Sequence, residues 1–375
     1  MRETDRLERR LRAGLDQLDR AGLRRTLRGP SGIDFSSNDY LGLSQHPLLK
    51  QRMAAAVCEL GCGSTGSRLL HGERDAFSNV ERRFAQFKNA ERSLYFSSGY
   101  LANIAVLSTF AEADDVIFSD ERNHASLIDG ARLSRARKVI YPHNDVAALA
   151  RLMGEESGAG QKFVVTESLF SMDGDFAPLA EYAPLCREHG AALIVDEAHA
   201  VGIYGARGSG WMEACGVESD VFVSINTAGK ALGVAGAFVA GPDWAMETLV
   251  QRARPFVFST APPPALAAAL EASLDVIAAE PERRVRLLER AAYLHGWLDA
   301  GGMSQIIPFI LGSNERATAT AAALQERGFD VRAIRPPTVP EGSARLRISV
   351  NVNLSEDVLD RFAAALHDIS CAVSS

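Results

Sequence analysis

Short apolar segments alternate with amphipathic stretches through the middle of the chain. Residues 191–195 (AALIV) are apolar at every position, as is typical of strands that are covered on both faces. Comparable segments, each followed by helical spacing, occupy residues 92–96, 115–119, 138–141, 162–166, 191–195, 221–225 and 236–240. This alternation predicts an α/β fold with a mainly parallel sheet flanked by helices and joined by right-handed crossovers.

The two ends of the chain follow other patterns. Leu7, Leu11, Leu15 and Leu18 have helical spacing and predict an N-terminal helix over residues 3–27. After three prolines at 262–264, a helical region runs to about residue 300 and is broken at Pro281. The remainder predicts strand 306–311, helix 314–327, strands 331–334 and 345–350, and helix 356–369. We therefore expect an N-terminal helix and segment (1–45), a large domain (46–280) and a small C-terminal α/β domain (281–375).

Composition excludes several classes of protein. With 40 basic and 47 acidic residues in 375, the net charge of −7 gives no general nucleic-acid footprint. Cys58 and Cys62 are four residues apart, but no second Cys/His pair completes a zinc site, so we expect reduced thiols and no metal. The start has no apolar signal region, and no apolar run approaches ~18 residues. These features predict a cytoplasmic protein that does not enter a membrane.

The glycine-rich segment 61–66 (GCGSTG) fits the G-x-G-x-x-G pattern of dinucleotide-binding proteins. That fingerprint requires a strand directly before it, whereas residues 49–60 have a helical pattern. A nicotinamide oxidoreductase is therefore the weaker interpretation. We expect instead a loop that packs beside a site and is lined by Ser64, Thr65 and Ser67.

Chemically versatile side chains follow several predicted strands. Asp196 and His199 come directly after strand 191–195, and Lys230 stands in a loop of small residues after strand 221–225. A lysine in such a pocket has a lowered pKa that suits Schiff-base chemistry, although a phosphate-binding lysine fits equally well. A helix cap with a surface histidine is the structural alternative for Asp196 and His199.

Three further segments fall at the same predicted sheet edge. Residues 97–103 form a strand-to-helix junction that could hold a phosphate, His124 follows another strand, and residues 167–174 follow a third. An aspartate, two histidines, a helix start and an isolated lysine are the groups that an aldehyde-phosphate cofactor needs.

With these residues in view, the chain resembles the pyridoxal-phosphate-dependent α-oxoamine synthases of the fold-type I aminotransferase-like group. The resemblance is carried by 35–44 (FSSNDYLGLS), 123–126 (NHAS), 164–179 (VVTESLFSMDGDFAPL) and 333–349 (AIRPPTVPEGSARLRIS). Family members acylate an amino acid with a thioester and release CO2. The last segment is most similar to members that join L-alanine to pimeloyl-CoA or pimeloyl-carrier protein in biotin biosynthesis. Members that use glycine or serine, and a catalytically silent family subunit, are the alternatives.

The resemblance implies a role for each matching residue. Lys230 is the Schiff-base lysine and the base, Asp196 pairs with the pyridinium nitrogen, His199 bonds the ring hydroxyl oxygen, and His124 stacks on the ring. The phosphate is held by Gly99, Tyr100 and Thr227, with Ser171 beside the ring, and by Ser259 and Thr260 reaching across a homodimer to the neighbouring subunit. The substrate is bound by Arg24, Asn38, Thr338 and Arg347. Ala228 departs from the family, which usually has an aromatic residue or leucine there.

Overall fold

The computed structural model describes residues 3–158 and 160–374. The helices are α1 Glu3–Arg20, α2 Pro47–Leu60, α3 Asp75–Phe87, α4 Gly99–Phe110, α5 Ala125–Leu133, α6 Val146–Glu155, α7 Leu179–Glu188, α8 Trp211–Cys215, α9 Asp243–Arg252, α10 Arg254–Val257, α11 Pro264–Ala279, α12 Glu282–Trp297, α13 Asn314–Glu326 and α14 Glu356–Ser374. The strands are β1 Ile33–Asp34, β2 Arg92–Phe96, β3 Val116–Asp120, β4 Arg137–Tyr141, β5 Lys162–Glu167, β6 Ala191–Asp196, β7 Val221–Thr227, β8 Ala237–Gly241, β9 Ile306–Gly312, β10 Phe329–Asp330, β11 Ala333–Ile334 and β12 Ala344–Ser349.

A seven-stranded sheet with the order β2-β8-β7-β6-β5-β3-β4 forms the centre of the larger part of the chain. Strands β4, β3, β5, β6 and β7 run parallel, and β8 is antiparallel to both β7 and β2. The prediction of a mainly parallel sheet flanked by helices is confirmed.

Both faces of this sheet are covered by helices. Ile117 of β3 and Ile194 of β6 pack on one face in a cluster with Val106 of α4. Phe118 and Val195, the next residues along the same strands, point to the other face and pack with residues of α6 and α7. Apolar residues at consecutive strand positions are therefore buried on opposite sides, which is the physical reason for the uninterrupted apolar segments.

The chain divides into two compact units. The larger unit comprises Asn38–Ser171 and Asp175–Leu287, and the smaller comprises Met1–Ser37, Met172–Gly174 and Leu288–Ser375. Within the smaller unit, β11, β12 and β9 form an antiparallel sheet, and β1 pairs with β10 in parallel. Over the described residues, no helix combines the length and apolarity needed to cross a membrane.

Two predicted elements end differently in the structure. The N-terminal helix ends at Arg20 and not at residue 27, because Gly22 adopts a left-handed conformation (φ 63°). The amide of Leu23 then bonds the carbonyl of Leu18 at 2.8 Å, the closing bond of a Schellman motif. The predicted strand 331–334 is also wrong in its extent: Phe329–Asp330 and Ala333–Ile334 are two short strands that pair with different partners.

Candidate active site

Lys230 and His199 contact each other in the larger unit. Lys230 lies in the turn between β7 and β8, which is closed by the bond from the Gly233 amide to the Lys230 carbonyl at 2.8 Å. Its Nζ is 2.8 Å from Nε2 of His199, which lies just beyond β6. The other ring nitrogen, Nδ1, is 2.7 Å from the Tyr40 hydroxyl. His199 is only 4% exposed, and both of its ring nitrogens contact protein groups.

Asp196, the last residue of β6, is the buried end of a second network. Its Oδ2 accepts a hydrogen bond from Asn103 Nδ2 at 2.7 Å, and its Oδ1 accepts one from the Ala198 amide at 2.9 Å. Asn103 Nδ2 also donates to Ser126 Oγ at 2.8 Å. Ser126 Oγ in turn lies 2.7 Å from His124 Nδ1. Asn103 and Ser126 therefore connect the aspartate to the histidine.

The strand register brings these groups to one edge of the sheet. In the strand register, Asp196 is paired with Glu167 of β5 and with Ile225 of β7. Parallel strands end at a common edge, and in open α/β sheets ligands bind outside the carboxyl ends of the strands. The candidate site lies at this edge.

The start of α4 forms an anion cradle near Thr227. Ser98 caps the helix by accepting the Leu101 amide at 3.3 Å, and the first amides of a helix have no intrahelical acceptor. A Cβ atom at Gly99 would lie 2.3 Å from Thr227 Oγ1, so a larger residue here would force the Thr227 hydroxyl to move. Free amides at a helix start, with a hydroxyl beside them, suit a phosphate group.

Glu167 is a buried carboxyl group at the same edge. Burial and the charge of Asp196 raise its pKa to about 8, while Lys230 and the backbone amides of His124 and Ser171 act in the opposite direction. Its Oε1 has no hydrogen-bond partner among the described residues. Glu167 is therefore protonated near neutral pH and adds no second negative charge beside Asp196.

His124 is held as a neutral imidazole. Partial burial lowers its pKa, which the Asp196 charge opposes and the Lys230 charge reinforces. Its Nδ1 accepts the Ser126 amide at 3.2 Å, and the Ser126 hydroxyl lies against the same nitrogen. A neutral imidazole ring is suited to stacking on a planar aromatic ligand.

A buried ion pair supports the chain directly after Asp196. Glu197 Oε2 accepts a bond from Lys88 Nζ at 2.8 Å, and Glu197 Oε1 accepts the Trp211 amide at 2.9 Å. Both charged side chains are at most 1% exposed. A Cβ atom at Gly210 would lie 1.7 Å from Glu197 Oε2, so this packing requires glycine there.

The other predicted site residues are distributed over both units. Ser171, Ser259 and Thr260 are in the larger unit, where Ser259 and Thr260 line a narrow cavity with Ser97. Asn38 is also in this unit, with its Oδ1 3.0 Å from the Tyr40 hydroxyl.

Arg24, Thr338 and Arg347 belong to the smaller unit. Arg24 pairs with Asp19, and Thr338 Oγ1 accepts a bond from Arg25 at 3.3 Å. Arg347 is buried and donates to Ser349 Oγ at 2.7 Å. The roles of these three residues as substrate contacts stay predictions.

Sequence reasoning missed Asn103, Ser126, Tyr40 and Glu167. Asn103 carries a signal that could have identified it, because it is a polar residue within the otherwise mostly apolar helix GYLANIAVLSTF. A buried amide in such a helix needs partners. Tyr40 and Ser126 lie within the segments that carried the resemblance, but nothing in their local pattern shows what they contact.

Replacing Asn103 with leucine is expected to weaken cofactor binding about tenfold. The change removes the buried donor to Asp196 Oδ2 and to Ser126 Oγ, which costs roughly 1–3 kcal/mol, and it holds the Asp196 carboxylate less firmly. Absorbance titration of the cofactor-free protein with pyridoxal phosphate measures the effect. Exposed Asn79, changed to leucine, is the control, and equal affinity of all three proteins would contradict the prediction.

A second charged cluster flanks the loop that follows β5. His143 Nδ1 is 3.0 Å from Asp120 Oδ1, and its Nε2 is 2.6 Å from Asp175 Oδ2. Burial acts to lower the pKa of His143, but the two carboxylates outweigh it and raise the pKa to about 9. The imidazolium therefore ties Asp175, four residues after Ser171, to the end of β3.

His143 is expected to make stability depend on pH. Because its pKa is higher in the folded chain than the ordinary 6.5, its contribution is complete below about pH 6.5 and is lost as the pH rises through 9. The urea midpoint of the wild type should fall over this window, and that of His143→Gln should fall less. The exposed-site control His367→Gln should follow the wild type. Parallel curves for all three proteins would contradict the prediction.

The residues at this edge fit pyridoxal phosphate. A lysine amine, a buried carboxylate and a helix-start cradle with a glycine that admits Thr227 match the carbonyl, the ring nitrogen and the phosphate of that group.

Comparison with known proteins agrees with this fit. The family model "Aminotransferase class I and II" matches residues 30–366. An 8-amino-7-oxononanoate synthase from Anaeromyxobacter dehalogenans (strain 2CP-1) is 48% identical over 374 residues, covering 94% of each chain.

Solved structures give the same result. A serine palmitoyltransferase variant from S. paucimobilis, with bound PLP and myriocin, has a TM-score of 0.91 at 29% identity and 97% coverage of both chains. An 8-amino-7-oxononanoate synthase from Francisella tularensis has a TM-score of 0.79 at 31% identity, covering 92% of this chain and 98% of that one. The resemblance inferred from the sequence is confirmed. The chain belongs to the class I and II aminotransferase family, as a pyridoxal-phosphate-dependent acyltransferase similar to the 8-amino-7-oxononanoate synthases.

Proposed function

We propose that this enzyme condenses L-alanine with pimeloyl-CoA or pimeloyl-carrier protein to give 8-amino-7-oxononanoate, CO2 and a free thiol. This is a step of biotin biosynthesis, and we place it in the cytoplasm. The observation that carries the proposal is the 2.8 Å contact of Lys230 with His199, in the unit that also holds Asp196. The 48% identity to an 8-amino-7-oxononanoate synthase over nearly the full length supports the choice of substrates.

Lys230 has the central role in the proposed reaction. Bound pyridoxal phosphate supplies an electron-deficient ring that delocalises the charge developing at the amino acid Cα. Lys230 would hold the cofactor covalently, and its freed amine would take the proton from Cα and later return it. Asp196, fixed by Asn103 and the Ala198 amide, would keep the ring nitrogen protonated. His199 would hydrogen-bond the ring hydroxyl oxygen.

Other groups of the larger unit would fix the cofactor in place. The backbone amides of Gly99 and Tyr100, with the Thr227 hydroxyl, would bind the phosphate at the start of α4. The neutral His124 would stack on the ring and help to position the acyl substrate. Ser171 would lie beside the ring.

The substrates and a second subunit complete the proposed site. Thr338 and Arg347 would bind substrate carboxylates, Asn38 would contact the substrate, and Arg24 would meet the acyl chain. Ser259 and Thr260 would reach the phosphate of the neighbouring subunit, so that the active unit is a homodimer with shared sites.

A matrix of substrates tests this function. The purified enzyme with pyridoxal phosphate is assayed with alanine, glycine or serine against pimeloyl, acetyl and palmitoyl thioesters, and products are identified by mass. We expect turnover with alanine and a pimeloyl thioester to exceed every other pair. Running pimeloyl-CoA and pimeloyl-carrier protein in parallel identifies the preferred donor.

The competing functions give different patterns in the same assay. Faster condensation of glycine or serine would assign the chain to a sister α-oxoamine synthase, a reading that the likeness to a serine palmitoyltransferase makes worth including. No condensation with any pair, despite bound cofactor, would indicate a catalytically silent subunit. Either result would overturn the proposed reaction.

A further inference from the structure

Three hydrogen-bonding contacts form a chain that ends at Lys230. Lys230 Nζ is 2.8 Å from His199 Nε2, His199 Nδ1 is 2.7 Å from the Tyr40 hydroxyl, and that hydroxyl is 3.0 Å from Asn38 Oδ1. Tyr40 is completely buried and His199 nearly so. The Tyr40–His199 contact is buried and the other two are partly buried. At such low exposure, the strength of a hydrogen bond depends on which atom of each pair carries the proton.

For a neutral His199 ring, the three contacts fit one direction of hydrogen bonding. Asn38 Oδ1 is only an acceptor, so the single Tyr40 proton must point at it. The Tyr40 oxygen is then the acceptor for a proton on His199 Nδ1. With Nδ1 protonated, Nε2 of the neutral ring is an acceptor and receives a proton from the Lys230 ammonium group. If Tyr40 donated to His199 instead, two acceptors would face each other at the Asn38 end.

We propose that Tyr40 is a positioning residue that holds His199 in its Nδ1–H form, so that Nε2 accepts a hydrogen bond from protonated Lys230. The hydroxyl thereby sets the direction of the whole chain, from Lys230 through His199 and Tyr40 to Asn38. The function of Lys230 as a base requires that its amine both gain and release a proton. Tyr40 stabilises the protonated state without touching the lysine.

The loop that carries Tyr40 is built to hold the hydroxyl in position. The Tyr40 amide bonds the Asn38 carbonyl at 2.8 Å, and Asp39 Oδ1 accepts the Leu43 amide at 2.9 Å. Gly42 between them has a left-handed backbone (φ 65°), which favours glycine. The backbone geometry of this loop therefore fixes the positions of both Asn38 and Tyr40.

Other charged groups also influence Lys230. Glu167 at the end of β5 and His124 before α5 each interact electrostatically with the lysine, and Asp196 interacts with both of them. Their effects persist when Tyr40 is changed. A Tyr40→Phe substitution therefore isolates the contribution of the hydroxyl, because it keeps the ring and the surrounding charges.

The test uses the full-length chain after removal of bound cofactor. The inference rests on the proposed role of Lys230, but no substrate is needed, so failure of the proposed reaction would leave this test intact. Nitrogen-15 NMR of histidine-labelled protein reports which ring nitrogen of His199 is protonated, with His199→Gln used to assign the signal. The pH midpoint of Lys230 labelling by trinitrobenzenesulfonate, located by peptide mass, reports the lysine.

We expect wild-type His199 to be protonated at Nδ1 and Tyr40→Phe to shift the proton to Nε2. The labelling midpoint of Lys230 should then fall by about one pH unit, the size expected for loss of one hydrogen bond to a charged group. Tyr95→Phe is the matched control, because Tyr95 is also buried and its hydroxyl donates to the Ala235 carbonyl at 2.7 Å. In that variant, the protonated ring nitrogen of His199 and the labelling midpoint of Lys230 should be the same as in the wild type.

Three results would overturn the inference. One is a wild-type His199 protonated at Nε2, and another is a Tyr40→Phe variant with an unchanged tautomer and labelling midpoint. The third is an equal shift of the Lys230 labelling midpoint in Tyr95→Phe, which would mean that losing any buried hydroxyl group disturbs the site. Thermal unfolding of both variants verifies that the comparison is made between folded proteins.

Discussion

Replacing Lys230 with alanine is expected to lower kcat by at least ~10^4-fold, the size typical for loss of an enzyme nucleophile. The variant loses both the amine that would hold the cofactor and the group that would move the Cα proton. Its contact partner His199 stays in place, held at Nδ1 by Tyr40. Steady-state assay with alanine and a pimeloyl thioester measures the loss, and borohydride reduction followed by mass analysis measures covalent cofactor attachment.

Two further variants separate chemistry from charge and folding. Lys230→Arg keeps a positive charge near His199 but has no amine able to attack a carbonyl carbon, so it should be as inactive as Lys230→Ala. Exposed Lys50, changed to alanine, should keep wild-type activity. Normal kcat in Lys230→Ala, or cofactor still attached to that variant after reduction, would refute the assignment.

Changing Asp196 to asparagine is expected to lower kcat by about 10^3-fold. The substitution keeps the size of the side chain but removes the negative charge that would hold the ring nitrogen protonated. A buried charge pair that loses one partner typically costs 3–5 kcal/mol, which corresponds to a factor of roughly 10^2–10^4 in rate. Asp196 is 5% exposed, so water cannot replace the missing charge.

The Asp196 prediction has its own control and its own signature. Asp243→Asn, at an exposed aspartate, should be fully active. Because Asp196→Asn keeps Lys230 and the phosphate cradle, it should still attach the cofactor covalently while turning over slowly. A variant that binds no cofactor would show that Asp196 is needed for binding, and one with normal kcat would contradict the proposed ring contact.

The main chemical groups of the site were predictable because they follow strands. Asp196, Lys230 and His124 each come after an apolar segment, and parallel strands place their carboxyl ends at one edge regardless of loop detail. The register of Glu167 with Asp196 and of Asp196 with Ile225 follows that rule. Local sequence was sufficient here because parallel strands end at the same edge of the sheet.

The connections between those groups were not predictable in the same way. Asn103 joins Asp196 to Ser126 only because α4 and α5 pack against each other and against the sheet. Tyr40 reaches His199 from 159 positions away along the chain. Side-chain contacts at such separations depend on how elements pack, and no periodic pattern encodes that packing.

The end of helix α1 near Gly22 could be predicted from the sequence only in part. A glycine before a leucine, after a run of helical spacing, is a recognisable end signal, yet the charged, amphipathic pattern predicts a helix that continues to residue 27. The structure ends it at Arg20, because a residue with φ of 63° cannot continue a right-handed helix.

The sequence by itself determined the α/β class, the order of the strands along the chain and the residue types that stand at their ends, since these follow from local hydrophobic spacing. Only the tertiary structure decided which of those side chains meet, which ring nitrogen of His199 faces Lys230, and which carboxyl groups are buried enough to stay protonated. Those properties depend on distance and solvent exposure, which arise when remote segments pack together.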